Sequence, residues 1–314
     1  MRYNLEALSA TNESEISEEE AVPASQGREV YSWQIGHTGE RPLHFISSGR
    51  PLYGVFHPTD NANGADRVVV FCHSLGTEHV VTQRIETLGA RAAANAGFAA
   101  FRYDSRAHGD SSGDLADVTL ADLVGDACAA ADHARALSGA SRIIWVGIRF
   151  GCIIAAEAIA QRDDAAALAL WEPLHQGYDY FRSAVRAMLF CQVAEGKRPG
   201  ATVDDLLKRL ESGGVLPAVG SHIYHPLYQT ARAAELSRSL QNWGGYTLLA
   251  QVQRRPALSA KNEQLREQIQ SRGGKVTIAM VRHEPAWSML PLSYPQWTSE
   301  SLLANTKEWL CELE

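Results

Sequence analysis

No apolar run in this chain reaches the roughly eighteen residues that a membrane-spanning helix needs, and even Ile153 to Ala160 is interrupted by Glu157. Membrane insertion is not expected. Cysteine is scarce: Cys72, Cys128, Cys152, Cys191 and Cys311 are an odd set without CxxC spacing, which disfavours a disulfide framework and a structural zinc site and suits a reducing cytoplasm. The most closely spaced histidines, His222 and His225, have no carboxylate or thiol at ligand spacing, so no metal is expected. A GxGxxG fingerprint with its distant acidic partner is missing, which excludes a dinucleotide fold, and no cofactor is expected. Lys and Arg number 29 against 36 Asp and Glu, a net charge of -7, and the cations are scattered along the chain. That pattern offers no footprint for nucleic acid or anionic lipid. The first twenty residues are acidic (Glu13, Glu15, Glu18, Glu19, Glu20) and lack the basic start and apolar core of a secretion signal.

What remains is an ordinary globular composition, 45% hydrophobic and 21% charged over 314 residues. Residues 1–28, rich in Ser, Glu, Ala and Asn, carry too little apolar surface to offset their ordering entropy and read as a disordered tail. Short β-like runs, Leu43 to Ile46 and Pro51 to Phe56, predict a hairpin. A continuous β-branched run then follows, Arg67 to Cys72, of the kind a strand buried on both faces requires. Helical and strand patterns alternate after it: helix Val80 to Ala96, strand Phe98 to Tyr103, helix Leu120 to Leu137, strand Arg142 to Val146, helix Cys152 to Ala160, strand Ala166 to Trp171. The pattern predicts an α/β fold with a mostly parallel, doubly wound sheet.

Between Glu172 and Asn242 strand signals vanish, and helices over Tyr180 to Gln192, Val203 to Leu210 and Gln229 to Leu240 predict an inserted helical cap at 173–242. Residues 29–172 and 243–314 would then form the core. The second part holds strands Tyr246 to Val252 and Lys275 to Val281, with helices Leu258 to Ser271 and Ser299 to Leu313.

In an open parallel sheet ligands bind at the carboxyl ends of the strands, which directs attention to the turns. Four are notable: Cys72-His73-Ser74-Leu75-Gly76, the polar stretch from Asp104 to Gly113, Gly147-Ile148-Arg149-Phe150-Gly151, and Arg282-His283-Glu284-Pro285-Ala286-Trp287. Taken in this order, with a small-x-x-x-small turn between strand and helix and a histidine after the last strand, the chain resembles the α/β-hydrolase superfamily, of serine aminopeptidase-like type, over residues 45–312. GIRFG, WEPLHQGYDY and HEPAW further resemble the degenerate hydrolases associated with the exosortase A system, which implies a place in a biosynthetic pathway. The resemblance makes the third turn the nucleophile elbow, Gly-x-Ser-x-Gly. Here its centre is Arg149, a permanently protonated group that cannot attack a carbonyl. Gln253-Arg254-Arg255-Pro256 stands where the resemblance implies an acid.

Each candidate has a structural alternative. Arg149 reads either as an anion clamp on a substrate, beside the amides of Phe150 and Leu75, or as half of a salt bridge with Glu172. Glu172 is placed to orient His283, to pair with Arg149, or to anchor the first turn of the cap. His283 is the acid or base candidate, and its short spacing from the strand makes its neighbour Glu284 a second one. His73 packs under the oxyanion loop, and Ser74 is a hydroxyl to which the sequence assigns no base. Asp104, Arg106, His108 and Asp110 read as turn residues bonding their own loop. Trp171, Tyr178, Trp287, Tyr180 and Phe181 are candidates for an aromatic pocket under the cap, with core packing as the alternative. Three functions follow: a non-covalent acid/base enzyme acting on an acyl, ester or peptide-like anionic substrate, an inactive pseudo-hydrolase that binds such a small-molecule, acyl or peptidyl ligand, or a hydrolase whose nucleophile has moved to Ser74.

Overall fold

The structure, a computed structural model, describes residues 39–60, 66–253, 257–282 and 299–313. Strands β1 (Arg41–Ser47) and β2 (Arg50–His57) form the expected antiparallel hairpin. β3 (Arg67–Cys72), β4 (Ala99–Tyr103), β5 (Arg142–Ile148), β6 (Ala165–Trp171), β9 (Tyr246–Gln253) and β10 (Val276–Arg282) run parallel, so the eight-stranded order is β1-β2-β4-β3-β5-β6-β9-β10. β2 joins this set antiparallel to β4. The strands after β3 go first to one side (β4) and then to the other (β5). The sheet therefore reverses its winding between β3 and β5, and a crevice opens there at their carboxyl ends.

Alternation along the strands divides the core into two layers. Val69, Phe71, Ile144, Val146, Ala169 and Trp171 pack under α1 (Gly76–Asn95) and α9 (Glu300–Cys311). Val68, Val70, Trp145, Leu168 and Leu170 face α2 (Leu120–Ser138), α3 (Gly151–Ile159) and α8 (Ala260–Ser271). Both faces are covered, as all-parallel pairing requires, which is why the strand sequences read as unbroken apolar runs. Among the described residues no helix is long and apolar enough to cross a membrane.

The segment between β6 and β9 departs from an all-helical reading. α4 (Gly177–Ala194) and α5 (Val203–Glu211) are followed by a small antiparallel hairpin of β7 (Val215–Ala218) and β8 (Ser221–Tyr224). Gly213, Gly214, Pro217 and Gly220 hide this hairpin in the sequence, although Leu216 and Ile223 are paired and both buried. The single helix expected over Gln229 to Leu240 is two pieces, α6 (His225–Ala231) and α7 (Leu236–Ser239). Its backbone opens because the carbonyls of Arg232 and Ala234 accept the N–H groups of Tyr178 and Gly177 at the start of α4, at 3.1 and 2.9 Å. A long-range bond has replaced a helical one.

The β5–α3 turn is fixed by two close approaches. A Cβ on Gly151 would lie 1.9 Å from the Cys72 carbonyl oxygen, and one on Gly147 would lie 2.5 Å from Cys152 Cα. These contacts explain the small-x-x-x-small spacing and bring the start of α3 against the end of β3. Gly151→Ala should consequently cost about 3 kcal/mol or more of stability through backbone displacement, measured as the shift in urea unfolding at constant m.

Candidate functional site

At the tip of the β5–α3 turn Arg149 adopts φ 56°, a left-handed conformation that a side chain bearing a Cβ seldom takes. Its backbone is held there by bonds from Arg149 N–H to the Trp171 carbonyl (3.0 Å) and from Cys152 N–H to the Arg149 carbonyl (3.1 Å). Strain of this kind persists where surrounding structure over-determines it. Glu172, at the carboxyl end of the adjacent strand, is also left-handed (φ 48°).

The guanidinium does not pair with Glu172. It pairs with Glu78 in the first turn of α1, Nη2 donating to Oε1 at 3.1 Å and Nε to Oε2 at 3.4 Å, with side-chain exposures of 12% and 7%. Glu172 instead accepts the Val252 N–H from β9, while its own N–H bonds the Ala250 carbonyl. Burial opposes the charge on Arg149, but the neighbouring Glu78 carboxylate outweighs it and keeps the group protonated. Burial raises the Glu172 carboxyl above its ordinary range, partly offset by the Val252 amide and the Arg149 charge.

Ser74 is fully buried and donates to Glu78 Oε2 at 2.7 Å. The hydroxyl thus has a carboxylate partner that sequence reading did not supply. That carboxylate also serves the Arg149 guanidinium. Glu78 is the functional residue that the sequence reading missed. The available signal was its position four residues after Ser74, in the opening turn of a predicted helix.

Leu75 and Phe150 are both helix N-cap residues, and their N–H groups donate to no acceptor among the described residues. The Phe150 ring packs edge-on against Tyr180, 5.3 Å between centroids, and Tyr180 in turn closes over Gly76. A narrow cleft runs from here between α4 and the β7–β8 hairpin, walled by Glu78, Tyr180, Ala184, Ala187, Ala218 and Val219. A larger cavity, of about 470 Å³, lies by Ala165 and Trp243 at the amino ends of β6 and β9, away from the elbow.

The other candidates are placed as follows. Trp171 belongs to the core layer under α9, its Nε1–H bonded to Thr306 Oγ1 at 3.1 Å and its ring edge-on to Phe71, so it lines no cap pocket. Strand alternation dictates this, since Leu170 occupies the opposite face. Tyr178 packs within the cap cluster and not on the cleft. Phe181 is wholly buried against Phe150, Tyr180 and Tyr228. His283, Glu284, Trp287 and residues 254–256 lie outside the described residues. Arg106 does not bond only its own loop: it grips Asp126 of α2 through Nε (2.9 Å) and Nη2 (2.7 Å), and Asp122 through Nη1. Among the described residues no three His, Cys, Asp or Glu side chains converge on a metal position.

His73 accepts the Ser105 N–H at Nε2 (2.9 Å) and meets the Ser74 carbonyl through Nδ1 (2.5 Å), which fixes the neutral tautomer protonated at Nδ1. Its ring lies 4.1 Å from His79 and 5.3 Å from His108, and His79 Nε2 is 3.4 Å from Asp104. His73 thus ties the β3–α1 turn to the loop after β4.

A model of the serine aminopeptidase family, S33, matches residues 63–211. The fold is similar to that of Est1E from Butyrivibrio proteoclasticus with ferulic acid bound, at 16% identity and TM-score 0.62, covering 86% of this chain and 98% of that one. The chain has the α/β-hydrolase fold. Two further α/β-hydrolase likenesses are the Pyrococcus furiosus esterase Pf2001 (13% identity, TM-score 0.58, 87% and 90% covered) and DcsB in complex with its substrate analogue (16%, 0.57, 87% and 99%). No curated protein matches the chain by sequence.

Two predictions follow from this geometry. Glu78→Gln removes the charge that compensates a buried guanidinium and should destabilise the protein by about 3 kcal/mol, whereas adding Arg149→Met should recover most of the loss. Chemical denaturation of both single variants and the double variant checks it. The second concerns pH. Burial, aided by Arg102, holds His57 down to about 4; burial and the neighbouring histidines hold His73 well below 6.5, and burial lowers His108. The unfolded chain takes up these protons near pH 6.5 while the folded chain refuses them, so stability is lost as pH falls below about 6.5. Burial also lowers His133 and His175, while it pushes Glu86 up to about 7 and raises Glu172; the two carboxyls act in the opposite sense above about 4.5, but with two protons against five. The unfolding free energy should therefore rise between about pH 5 and pH 6.5 in urea titrations.

Proposed function

We propose that the chain binds a carbonyl compound of the acyl, ester or peptide-like class at the β3–β5 crevice and acts on it without forming an acyl-enzyme. The observation that supports this reading is Arg149 at the left-handed tip of the elbow turn, with its guanidinium held by Glu78. An arginine has no lone pair to offer a carbonyl carbon, but it has five N–H donors. Glu78 engages Nε and one edge of Nη2, leaving Nη1 and the other Nη2 hydrogen. Because the ion pair is neutral as a whole, it offers directed hydrogen bonds more than net charge. That favours a carbonyl oxygen, or the oxyanion developing on it, over a fully anionic ligand. The amides of Leu75 and Phe150 are suited to add to this stabilisation. Glu172, with its raised carboxyl pKa, holds or delivers the proton, and His283 or Glu284 is its partner in the transfer.

The Glu78–Arg149 pair also favours a second reading, a pseudo-hydrolase that binds the same ligand class without turnover, since the strongest recognition edge of the guanidinium is already occupied. Three measurements decide. A fluorophosphonate probe should leave the protein unlabelled; labelling that Ser74→Ala removes would replace this proposal with a relocated nucleophile. Turnover of short-chain p-nitrophenyl esters that Arg149→Ala lowers by about 10² in kcat/KM would mark the enzyme. Saturable binding of the same esters without turnover would mark the binder.

A further inference from the structure

Large apolar side chains left exposed among the described residues are Ile46, Val80, Phe190, Val193, Val215 and Tyr246. Half of them are in the segment between β6 and β9, and two stand on the last turns of α4: Phe190 is 61% exposed and Val193 57%. At 3.6 residues per turn Arg182, Arg186, Phe190 and Val193 fall within about 80° of one another. They form one stripe, and all four are exposed. Neither Arg182 nor Arg186 has an ion-pair partner among the described residues. Lys197 and Arg198, both exposed, follow directly after the helix, and the acidic neighbour there, Glu195, is paired with Lys197 at 2.6 Å. Val215, 48% exposed, stands on β7. The cleft brings Ala184 and Ala187 of α4 to Ala218 and Val219 of the hairpin that β7 opens.

We propose that the outer face of α4 docks on an anionic lipid bilayer. Phe190 and Val193 enter the boundary between headgroups and acyl chains, and Arg182, Arg186, Lys197 and Arg198 bond lipid phosphates around them. The chemistry favours a bilayer over a protein. Two or three isolated apolar side chains inside a basic collar offer far less than the roughly 800 Å² per partner of a stable protein interface, yet they suit a yielding, amphipathic surface. The net charge of -7 does not oppose docking, since charges more than about 10 Å away are screened at physiological salt. The adjoining side of α4, through Ser183, Ala184 and Ala187, walls the cleft, so docking sets the mouth of the cleft beside the bilayer. The proposal does not depend on the chemistry at Arg149.

Co-sedimentation of the full chain with vesicles tests it. Vesicles of phosphatidylcholine with about one third phosphatidylserine should retain the protein, pure phosphatidylcholine should not, and added salt should weaken retention. Arg182→Gln and Arg186→Gln should each reduce affinity about fivefold, and Phe190→Asp with Val193→Asp should abolish binding. Ile46→Asp, on the edge strand β1, should have no effect. Urea midpoints confirm that these surface variants fold. Absence of binding to either vesicle, or binding that the four substitutions leave unchanged, overturns the proposal. Retention on an immobilised acidic polypeptide without retention on vesicles also overturns it, in favour of an acidic protein partner.

Discussion

The ion pair between Arg149 and Glu78 joins the two turns on which the upper end of this sheet is built. Arg149 comes from the tip of the β5–α3 turn and Glu78 from the opening turn of α1, 71 residues earlier, and the same carboxylate takes the Ser74 hydroxyl. Neither charge has access to bulk water sufficient to hydrate it alone, so each depends on the other. The pairing requires α3 to begin against the end of β3, which only glycine at 151 permits. A steric allowance at one residue thereby brings an electrostatic contact to the crevice.

Around this contact the polar groups are interlocked rather than free. His73 holds the loop after β4 through Ser105, and Arg106 fastens that loop to α2 through Asp126, which also accepts the Ser47 hydroxyl at 2.6 Å. Glu172 is committed to β9 through Val252. Each buried polar group that reaches across elements is costly if left unpaired, and this network makes the crevice a rigid frame. Such a frame suits the proposed recognition of a carbonyl by preorganised donors, which needs fixed geometry more than mobile nucleophiles.

Much of this was readable in one dimension. Runs such as Arg67–Cys72 and Arg142–Val146 announce strands buried on both faces, and the intervening helical periods impose parallel crossovers. From those two features the sheet, its α/β-hydrolase form and the turns that matter all follow. The identity of the elbow residue, an arginine between glycines, was likewise plain. The β7–β8 hairpin was not, because its two four-residue strands are embedded among Gly and Pro. The break in the helix after Ala231 was not either, since tertiary bonds to Gly177 and Tyr178 cause it.

The sequence by itself therefore determined the layers, the place of the candidate turns at the carboxyl ends of the strands, and the chemical character of Arg149, because all three depend on local periodicity and residue type. Tertiary structure alone decided that Glu78 and not Glu172 meets the guanidinium, and that Trp171 supports α9 instead of facing the cap. Partner choice among charges depends on which turns are brought within a few ångströms, and that distance is set by how helices cross the sheet.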